Sequence, residues 1–341
     1  MLTTRLTELV GCRLPLQVAG MPGVSTPALV AAVANAGGLA MLPTAGSPLA
    51  LVESALDEVL RSTPQPFGVN FLIPFLDREV LELVSPRVRM VEFFYGDPDA
   101  SLVEIVHRAG ALACWQVGST SEARLAVDCG CDVVIAQGVQ AGGHVRGTVT
   151  LLALLAEVLD AVHVPVIAAG GIGTARAMAA VLAAGASGVR IGTRFVAAAE
   201  SGAHPSYVAA LIRSQAEDTV LTDAFSVMWP DAPHRVLRSC VERAQALDAD
   251  VAGETMIGGV AYPIPRLAVP VPTRETTGHV DAMALYAGES VSAVERVEPA
   301  ADIVRELCDG AAALLERAAA EVTAQQPAET ELELPPASTK G

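Results

Sequence analysis

Short apolar runs alternate with longer segments of helical periodicity over the first 193 residues of the chain. Each apolar run is rich in β-branched residues and leads into a glycine-rich turn, and a segment rich in Ala, Leu and charged residues follows. This alternation is typical of parallel βα units. It predicts eight strands, at residues 16–20, 39–42, 67–72, 90–94, 111–117, 132–138, 165–171 and 188–193.

The predicted strands are apolar on both faces, which indicates that helices cover the sheet on both sides. Eight such units can close into a barrel, so we predict an α/β fold of the (β/α)8 TIM-barrel type. A doubly wound open sheet is the alternative, but the first turn, AGMPGVSTP, lacks the G-x-G-x-x-G pattern of that fold. The first long helix is predicted to begin after Ser25 or Thr26 and to end at Gly37 and Gly38.

The pattern changes after the eighth predicted strand. Residues 219–290 are rich in Pro, aromatic residues and turn formers, which predicts an irregular, lid-like excursion over the barrel mouth. A final amphipathic helix is predicted at residues 297–322. We therefore expect a single domain over residues 1–320, followed by an acidic, Pro-rich tail at residues 322–341 that is predicted to be disordered.

Composition narrows the class of protein. The chain has 341 residues, 52% of them hydrophobic, which is enough for a large core, yet no apolar run reaches the roughly 18 residues of a membrane span. The N-terminus also lacks a secretory signal, so a cytoplasmic protein with no membrane partner is expected. A net charge of −16 argues against nucleic acid and favours a small-molecule substrate. The apolar composition is compatible with a homodimer.

Two glycine-containing turns point to a phosphate group. Gly170 and Gly171 follow the seventh predicted strand, and Gly192 and Thr193 end the eighth. Glycine lets backbone amides approach a phosphate, and TIM barrels commonly bind phosphate at these two loops. An isolated Gly-Gly pair equally serves as a tight turn, but two such loops in consecutive units favour a phosphate site.

The loop at residues 136–147, AQGVQAGGHVRG, carries the strongest candidate for chemistry. It brings Gln137, Gly142, Gly143 and His144 to the end of the barrel where TIM-barrel enzymes have their active sites. An imidazole there can accept or deliver a proton near neutral pH, so His144 is the predicted catalytic residue. The alternative is an ordinary surface histidine.

Three further residues are weaker candidates. Asn70 and Gln116 fall near strand ends, where a side-chain amide either binds the edge of a heteroaromatic ring or caps a turn. Met21 follows the first strand, where its backbone amide could contact a bound ring and its side chain could simply pack. No metal site is expected, because the six cysteines lack paired C-x-x-C spacing and the histidines lack paired ligands.

Taken in order and spacing, several segments resemble the nitronate monooxygenase family, formerly called 2-nitropropane dioxygenases. They are LQVAGMPGVSTPALVAAVANAGGLAML, GVNF, AQGVQAGGHVRG, VIAAGGIG, GVRIGTRF, ESGAHPSY and DTVLTDAFS. The resemblance implies FMN as cofactor, with its phosphate on Gly171 and on Arg190, Ile191, Gly192 and Thr193. It also implies flavin or ribityl contacts from Asn70, Gln137 and Gly142, and it matches His144 with the catalytic histidine. Gln140 departs from the pattern, since many relatives carry Glu there.

The implied reaction is the oxidation of an alkyl nitronate with O2 to a carbonyl compound and nitrite. For a neutral nitroalkane, His144 would first act as the base that removes the α-proton. The same scaffold includes FMN-dependent NAD(P)H reductases of the enoyl-acyl-carrier-protein or quinone type, which form the alternative function. A third possibility is a flavin-binding accessory protein that catalyses no reaction, and the intact His144 argues against it.

Overall fold

Eight parallel strands close into a barrel in the computed structural model, which describes residues 2–324. They are β1 (Leu16–Val18), β2 (Leu39–Pro43), β3 (Gly68–Leu72), β4 (Met90–Phe94), β5 (Leu112–Val117), β6 (Val133–Gln137), β8 (Val166–Ala169) and β9 (Gly188–Ile191), and the short β7 (Gly143–His144) lies outside the barrel. Strand β1 pairs with both β2 and β9, which closes the ring. Each barrel strand overlaps a predicted one, so the predicted (β/α)8 fold is confirmed.

The helices follow the strands as expected for βα units. They are α1 (Arg5–Val10), α2 (Pro27–Ala36), α3 (Leu49–Ser62), α4 (Arg78–Val84), α5 (Ala100–Arg108), α6 (Thr120–Asp128), α7 (Leu151–Ala161), α8 (Ala175–Ala183), α9 (Thr193–Val196), α10 (Pro205–Ile212), α11 (Arg238–Ala246) and α12 (Ala300–Ala324). Helix α2 shows both predicted signals. The Thr26 hydroxyl accepts a hydrogen bond from the Leu29 amide, and Gly37 ends the helix at φ +104°.

Helix α12 completes the outer ring, because the helix directly after β9 has only four residues. It packs against α8 and α2, with Ile303, Val304 and Leu307 fully buried. At Gly310 an added Cβ would lie 2.7 Å from the Ala175 Cβ, so glycine permits the close approach to α8. Within residues 2–324, none of the helices is both long and apolar enough to cross a bilayer.

The inside of the barrel has an apolar layer and a polar layer. Met90, Cys114 and Ile135 form one buried cluster with Leu6 and Val10 of α1, which packs into this end of the barrel. Since side chains on one face of a strand are two residues apart, the next inward positions toward the carboxyl ends are polar. They include Glu92, Gln116 and Gln137, all of them buried. The polar layer therefore faces the end of the barrel where the candidate site was expected.

The excursion at residues 219–290 contains regular secondary-structure elements that its sequence does not predict. These are α11 and the strands β10 (Thr219–Thr222), β11 (His234–Leu237), β12 (Val251–Ile257), β13 (Val260–Pro265) and β14 (Thr277–Gly278). Together with β7, which precedes the excursion in the chain, these strands form two three-stranded sheets, β10-β11-β7 and β13-β12-β14. The strands have two to seven residues, and β13 contains two prolines, so they leave little periodicity in the sequence. Of the predicted tail, only residues 322–324, which end α12, lie within the described residues.

Candidate active site

His144 lies at the rim of the barrel, on the two-residue strand β7. Strand β7 pairs in antiparallel register with β11, which places His144 opposite His234. The Gln137 side chain, at the end of β6, donates a hydrogen bond of 3.0 Å to the His144 carbonyl oxygen. The histidine is thus fixed between the end of a barrel strand and the first sheet of the excursion.

Aromatic rings surround the His144 imidazole. Trp229 stacks on it with ring centroids 3.9 Å apart and planes 21° apart. The Tyr95 and Tyr286 rings lie at 5.7 and 5.5 Å. Burial, and to a lesser extent repulsion between the two imidazoles of His144 and His234 if both were protonated, lowers the pKa of His144 to about 3. The imidazole is therefore neutral at physiological pH, and its buried Nε2 has no hydrogen-bond partner among the described residues.

A buried ion pair occupies the polar layer of the barrel. The Arg190 guanidinium on β9 contacts the carboxylate of Glu92 on β4, and these side chains are 9% and 0% exposed. Asn70 donates to the other carboxylate oxygen of Glu92 at 2.6 Å, and Gln17 donates to the first at 3.1 Å. Arg190 was predicted within a phosphate-binding stretch. One of its guanidinium nitrogens, Nη1, is bound to Glu92 inside the barrel.

Three side-chain amides keep a free acceptor at the carboxyl ends of the strands. Asn70 Oδ1, Gln116 Oε1 and Gln137 Oε1 are buried and have no partner among the described residues. The amide nitrogens of Asn70 and Gln137 are already committed to Glu92 and to the His144 carbonyl. A ligand with N–H or O–H groups would satisfy these oxygens, whose burial without a partner is otherwise unfavourable.

The predicted glycine turns come together with a segment that was not predicted to join them. An added Cβ at Gly142 would lie 2.4 Å from the Gly288 nitrogen, and the Gly288 amide donates to Thr193 Oγ1 at 3.0 Å. The Gly170 turn packs closely on the preceding loop, since a Cβ there would lie 2.8 Å from the Gly138 carbonyl oxygen. Close packing and a φ of +105° both require glycine at position 170.

The remaining predicted site residues differ in how much free space surrounds them. Gly171 has φ +70° and meets only Gln140, while Gly143 has φ +75° and open space where a Cβ would stand. Gly192 and Met21 lie together, the Met21 sulfur being 3.4 Å from an added Gly192 Cβ. The Met21 amide donates to Ser25 Oγ at 3.1 Å, so the predicted backbone contact with a ligand lacks a free donor.

Sequence reasoning missed several residues of this region. Glu92 could have been found, because it is the one charged residue in the strand MVEFF. Tyr95 directly follows the same strand, so its position at a carboxyl end could also have been read from the sequence. Trp229 and Gly288 carry no comparable signal, since they reach the site only through tertiary contacts. Gln140, the noted departure from the family pattern, accepts a hydrogen bond from the Leu151 amide at the start of α7 and acts as a helix cap.

A separate cavity of about 730 Å³ lies among α10, α11 and β14, away from the barrel mouth. Its lining contains hydroxyl groups and two arginines, Arg213 and Arg243. None of the predicted site residues borders it.

Comparison with known proteins gives a family. The model of the nitronate monooxygenase family matches residues 3–79 and 75–310. The (3aS,4S,5R,7aS)-5-hydroxy-7a-methyl-1-oxo-octahydro-1H-indene-4-carboxyl-CoA dehydrogenase of Rhodococcus jostii is 38% identical over 240 residues, which cover 70% of this chain and 66%, just under two thirds, of the relative. A probable nitronate monooxygenase of Staphylococcus aureus is 32% identical over 269 residues, covering 65% of this chain and 76% of the relative.

Two solved structures superpose on most of this chain. FabK from Thermotoga maritima superposes with a TM-score of 0.79 at 28% identity, covering 94% of this chain and all of the other. A nitroalkane oxidase from Streptomyces ansochromogenes superposes with a TM-score of 0.74 at 30% identity, covering 93% of this chain and 99% of the other. The likeness therefore includes the excursion as well as the barrel.

Proposed function

The chain belongs to the nitronate monooxygenase family and is an oxidoreductase, and from that premise we propose that it is an FMN-dependent enzyme that oxidises alkyl nitronates with O2 at the barrel mouth. Family membership implies a flavin cofactor. The observation that carries the proposal is the neutral, half-buried His144, whose buried Nε2 has no partner among the described residues, set beside amide oxygens that likewise lack one at the carboxyl ends of the strands.

The residues present fit a flavin. Asn70 Oδ1, Gln116 Oε1 and Gln137 Oε1 are acceptors without partners within residues 2–324, and they suit the N–H edge of a heteroaromatic ring or the hydroxyls of a ribityl chain. Gly171 and the Gly192–Thr193 turn are the residues proposed to hold the phosphate, because backbone amides and a hydroxyl are suitable donors. When bound, FMN supplies the redox chemistry of the reaction.

The residues of the chain position the groups of the site and keep the His144 imidazole neutral. His144 Nε2 is the proposed contact to the substrate, and the Gln137 bond to the His144 carbonyl fixes the backbone that carries it. The surrounding Tyr95, Trp229 and Tyr286 rings exclude water from the imidazole. The buried Glu92 and Arg190 pair holds the Asn70 amide in one orientation, so its oxygen is preorganised for a donor.

The low pKa of His144 bears on the choice of substrate. An imidazole with a pKa of about 3 is a weak base, so removal of the α-proton from a neutral nitroalkane has little driving force. A nitronate has already lost this proton. We therefore propose nitronates as the preferred substrates and nitroalkanes as slow ones, with His144 as the base for the latter.

The decisive experiment starts from the absorption spectrum and the extracted flavin of the purified protein. Oxygen uptake and nitrite release are then followed after propyl-2-nitronate is added without NADH. Bound FMN with both oxygen uptake and nitrite would support the proposal. A flavoprotein that consumes no oxygen with nitronate would refute it.

A second candidate is a flavin-dependent reductase or dehydrogenase that acts on thioesters with a pyridine nucleotide. The named activity of the Rhodococcus relative and the likeness to FabK favour it. Anaerobic addition of NADH or NADPH separates the two functions, because rapid loss of the oxidised-flavin absorbance supports this candidate. No absorbance change with either nucleotide leaves the monooxygenase as the proposed function.

A further inference from the structure

Trp229 covers the one side chain to which a catalytic role is assigned. Its indole lies parallel to the His144 imidazole at 3.9 Å and meets the Phe75 and Tyr95 rings edge-on, at 5.0 and 4.7 Å. The Trp229 residue is only 7% exposed. Three rings from three different parts of the chain thus hold the indole in one place.

This placement restricts access to His144. The Nε2 atom is inaccessible to solvent and has no partner among the described residues, so a substrate that contacts it must enter between or displace the rings packed around the imidazole, of which the indole lies nearest. The space next to the imidazole is consequently set by the size of the residue at position 229. A larger substituent on the substrate would meet the indole first.

The backbone of the turn that carries Trp229 directs the indole toward His144. Met228 and Asp231 have positive φ values, +79° and +55°, which residues other than glycine adopt uncommonly. The turn is anchored by the buried His234, whose Nε2 accepts a hydrogen bond from the Phe225 amide at 3.2 Å and whose Nδ1 lies 2.8 Å from the Ala232 carbonyl oxygen. Meanwhile Met228 is 64% exposed, so the turn directs the indole inward and the adjacent side chain outward.

We propose that Trp229 is a specificity-determining residue, whose indole covers His144 and limits the substrates oxidised at this site to those with small substituents. The size limit rests on the proposed function, because it takes His144 as the residue that contacts the substrate. The cover over the imidazole is a property of the fold alone, and it can be tested separately.

The first test compares the flavin-loaded wild type with Trp229→Ala, Trp229→Phe and, as matched control, Met228→Ala. Each is assayed for kcat and KM with ethyl-1-nitronate, propyl-2-nitronate and hexyl-1-nitronate. The ratio of kcat/KM for the longest to the shortest nitronate should rise about tenfold or more in Trp229→Ala and less in Trp229→Phe. It should stay unchanged in Met228→Ala, which alters the same turn without removing the ring.

A uniform fall in kcat/KM for all three nitronates, with the ratio unchanged, would overturn the size limit. Such a fall would mean that Trp229 only supports the structure. If the wild type oxidises no nitronate at all, the proposed function fails, and the cover is then judged by the second test.

The second test follows His144 by NMR titration of histidine-labelled protein, with His144→Gln to assign its signal. Removal of the indole lets water reach the imidazole, so the pKa of His144 should rise from about 3 toward its ordinary value of 6.5 in Trp229→Ala. The Met228→Ala protein should titrate like the wild type. An unchanged titration in a folded Trp229→Ala protein would show that other groups cover His144, which overturns the proposal.

Discussion

The Arg190 guanidinium on β9 is bound to the Glu92 carboxylate on β4, across the inside of the barrel. The two residues are 98 positions apart in sequence, and both are nearly inaccessible to solvent. A charge buried to this extent is tolerated only with its partner, because desolvation is costly. The pair also holds the Asn70 amide, so it joins the stability of the barrel to the geometry of the proposed flavin site.

Removal of one partner of this pair should destabilise the protein strongly. Arg190→Leu leaves a buried carboxylate without a counter-charge, and we expect the free energy of unfolding to fall by about 3–5 kcal/mol. The double variant Arg190→Leu with Glu92→Leu removes both charges and should be less destabilised than Arg190→Leu alone. Urea denaturation of the three proteins measures this difference, and equal losses would show that the charges are not coupled.

His144→Ala should lower turnover without removing the flavin. With a neutral nitroalkane as substrate, for which His144 is the proposed base, a residue that acts in proton transfer typically contributes 10² to 10⁴ in rate, and we expect a fall in kcat of roughly this size with the flavin content unchanged. Steady-state oxygen uptake together with the absorbance of bound flavin tests this. Normal turnover at normal flavin content would eliminate the catalytic role of His144.

The lowered pKa of His144 should also make stability depend on pH. Its pKa is about 3 in the folded protein and close to 6.5 in the unfolded chain. As pH falls below about 6.5, the unfolded chain binds a proton that the folded protein does not, so stability is lost by up to about 1.4 kcal/mol per pH unit.

We therefore expect the free energy of unfolding to fall less between pH 7 and pH 5 in His144→Gln than in the wild type. Urea denaturation at the two pH values provides the measurement. The same substitution at the exposed His279 controls for the loss of any histidine. If the wild type and His144→Gln lose the same stability, the imidazole is not buried in its neutral form.

Two adjacent glycines allow steric contact to be separated from backbone strain. An added Cβ at Gly142 would lie 2.4 Å from the Gly288 nitrogen, whereas at Gly143 it meets open space but requires φ +75°. Gly143→Ala should cost about 1 kcal/mol in folding stability.

Gly142→Ala should cost more and should also weaken flavin binding, because it separates Gly288 from Thr193. Flavin titration of the two apoproteins, alongside urea denaturation, compares the two effects. Equal flavin affinity in the two variants would show that the Gly288 contact does not shape the cofactor site.

The barrel was predictable because its signals are local. Strand hydrophobicity and the Thr26 and Gly37 caps are read within a few residues, and the structure reproduces both. Clustering of candidates at the carboxyl ends of the strands followed from the fold class. The partners of these residues were not predictable, because Glu92 with Arg190 and Gly142 with Gly288 are contacts between distant segments. The excursion was least predictable, since its strands are short and interrupted by proline.

The order in which the site is completed follows from where Gly288 and α12 lie in the chain. All eight barrel strands have been synthesised once Ile191 has been added to the chain, but the indole of Trp229, the Gly288 amide bound to Thr193 and the helix that fills the gap between α8 and α2 come later. Folding during translation proceeds from the N-terminus. Capture of the proposed flavin is therefore expected only after the segments that carry Trp229, Gly288 and α12 have been synthesised, and a chain released before them would carry the barrel strands without the cover over His144.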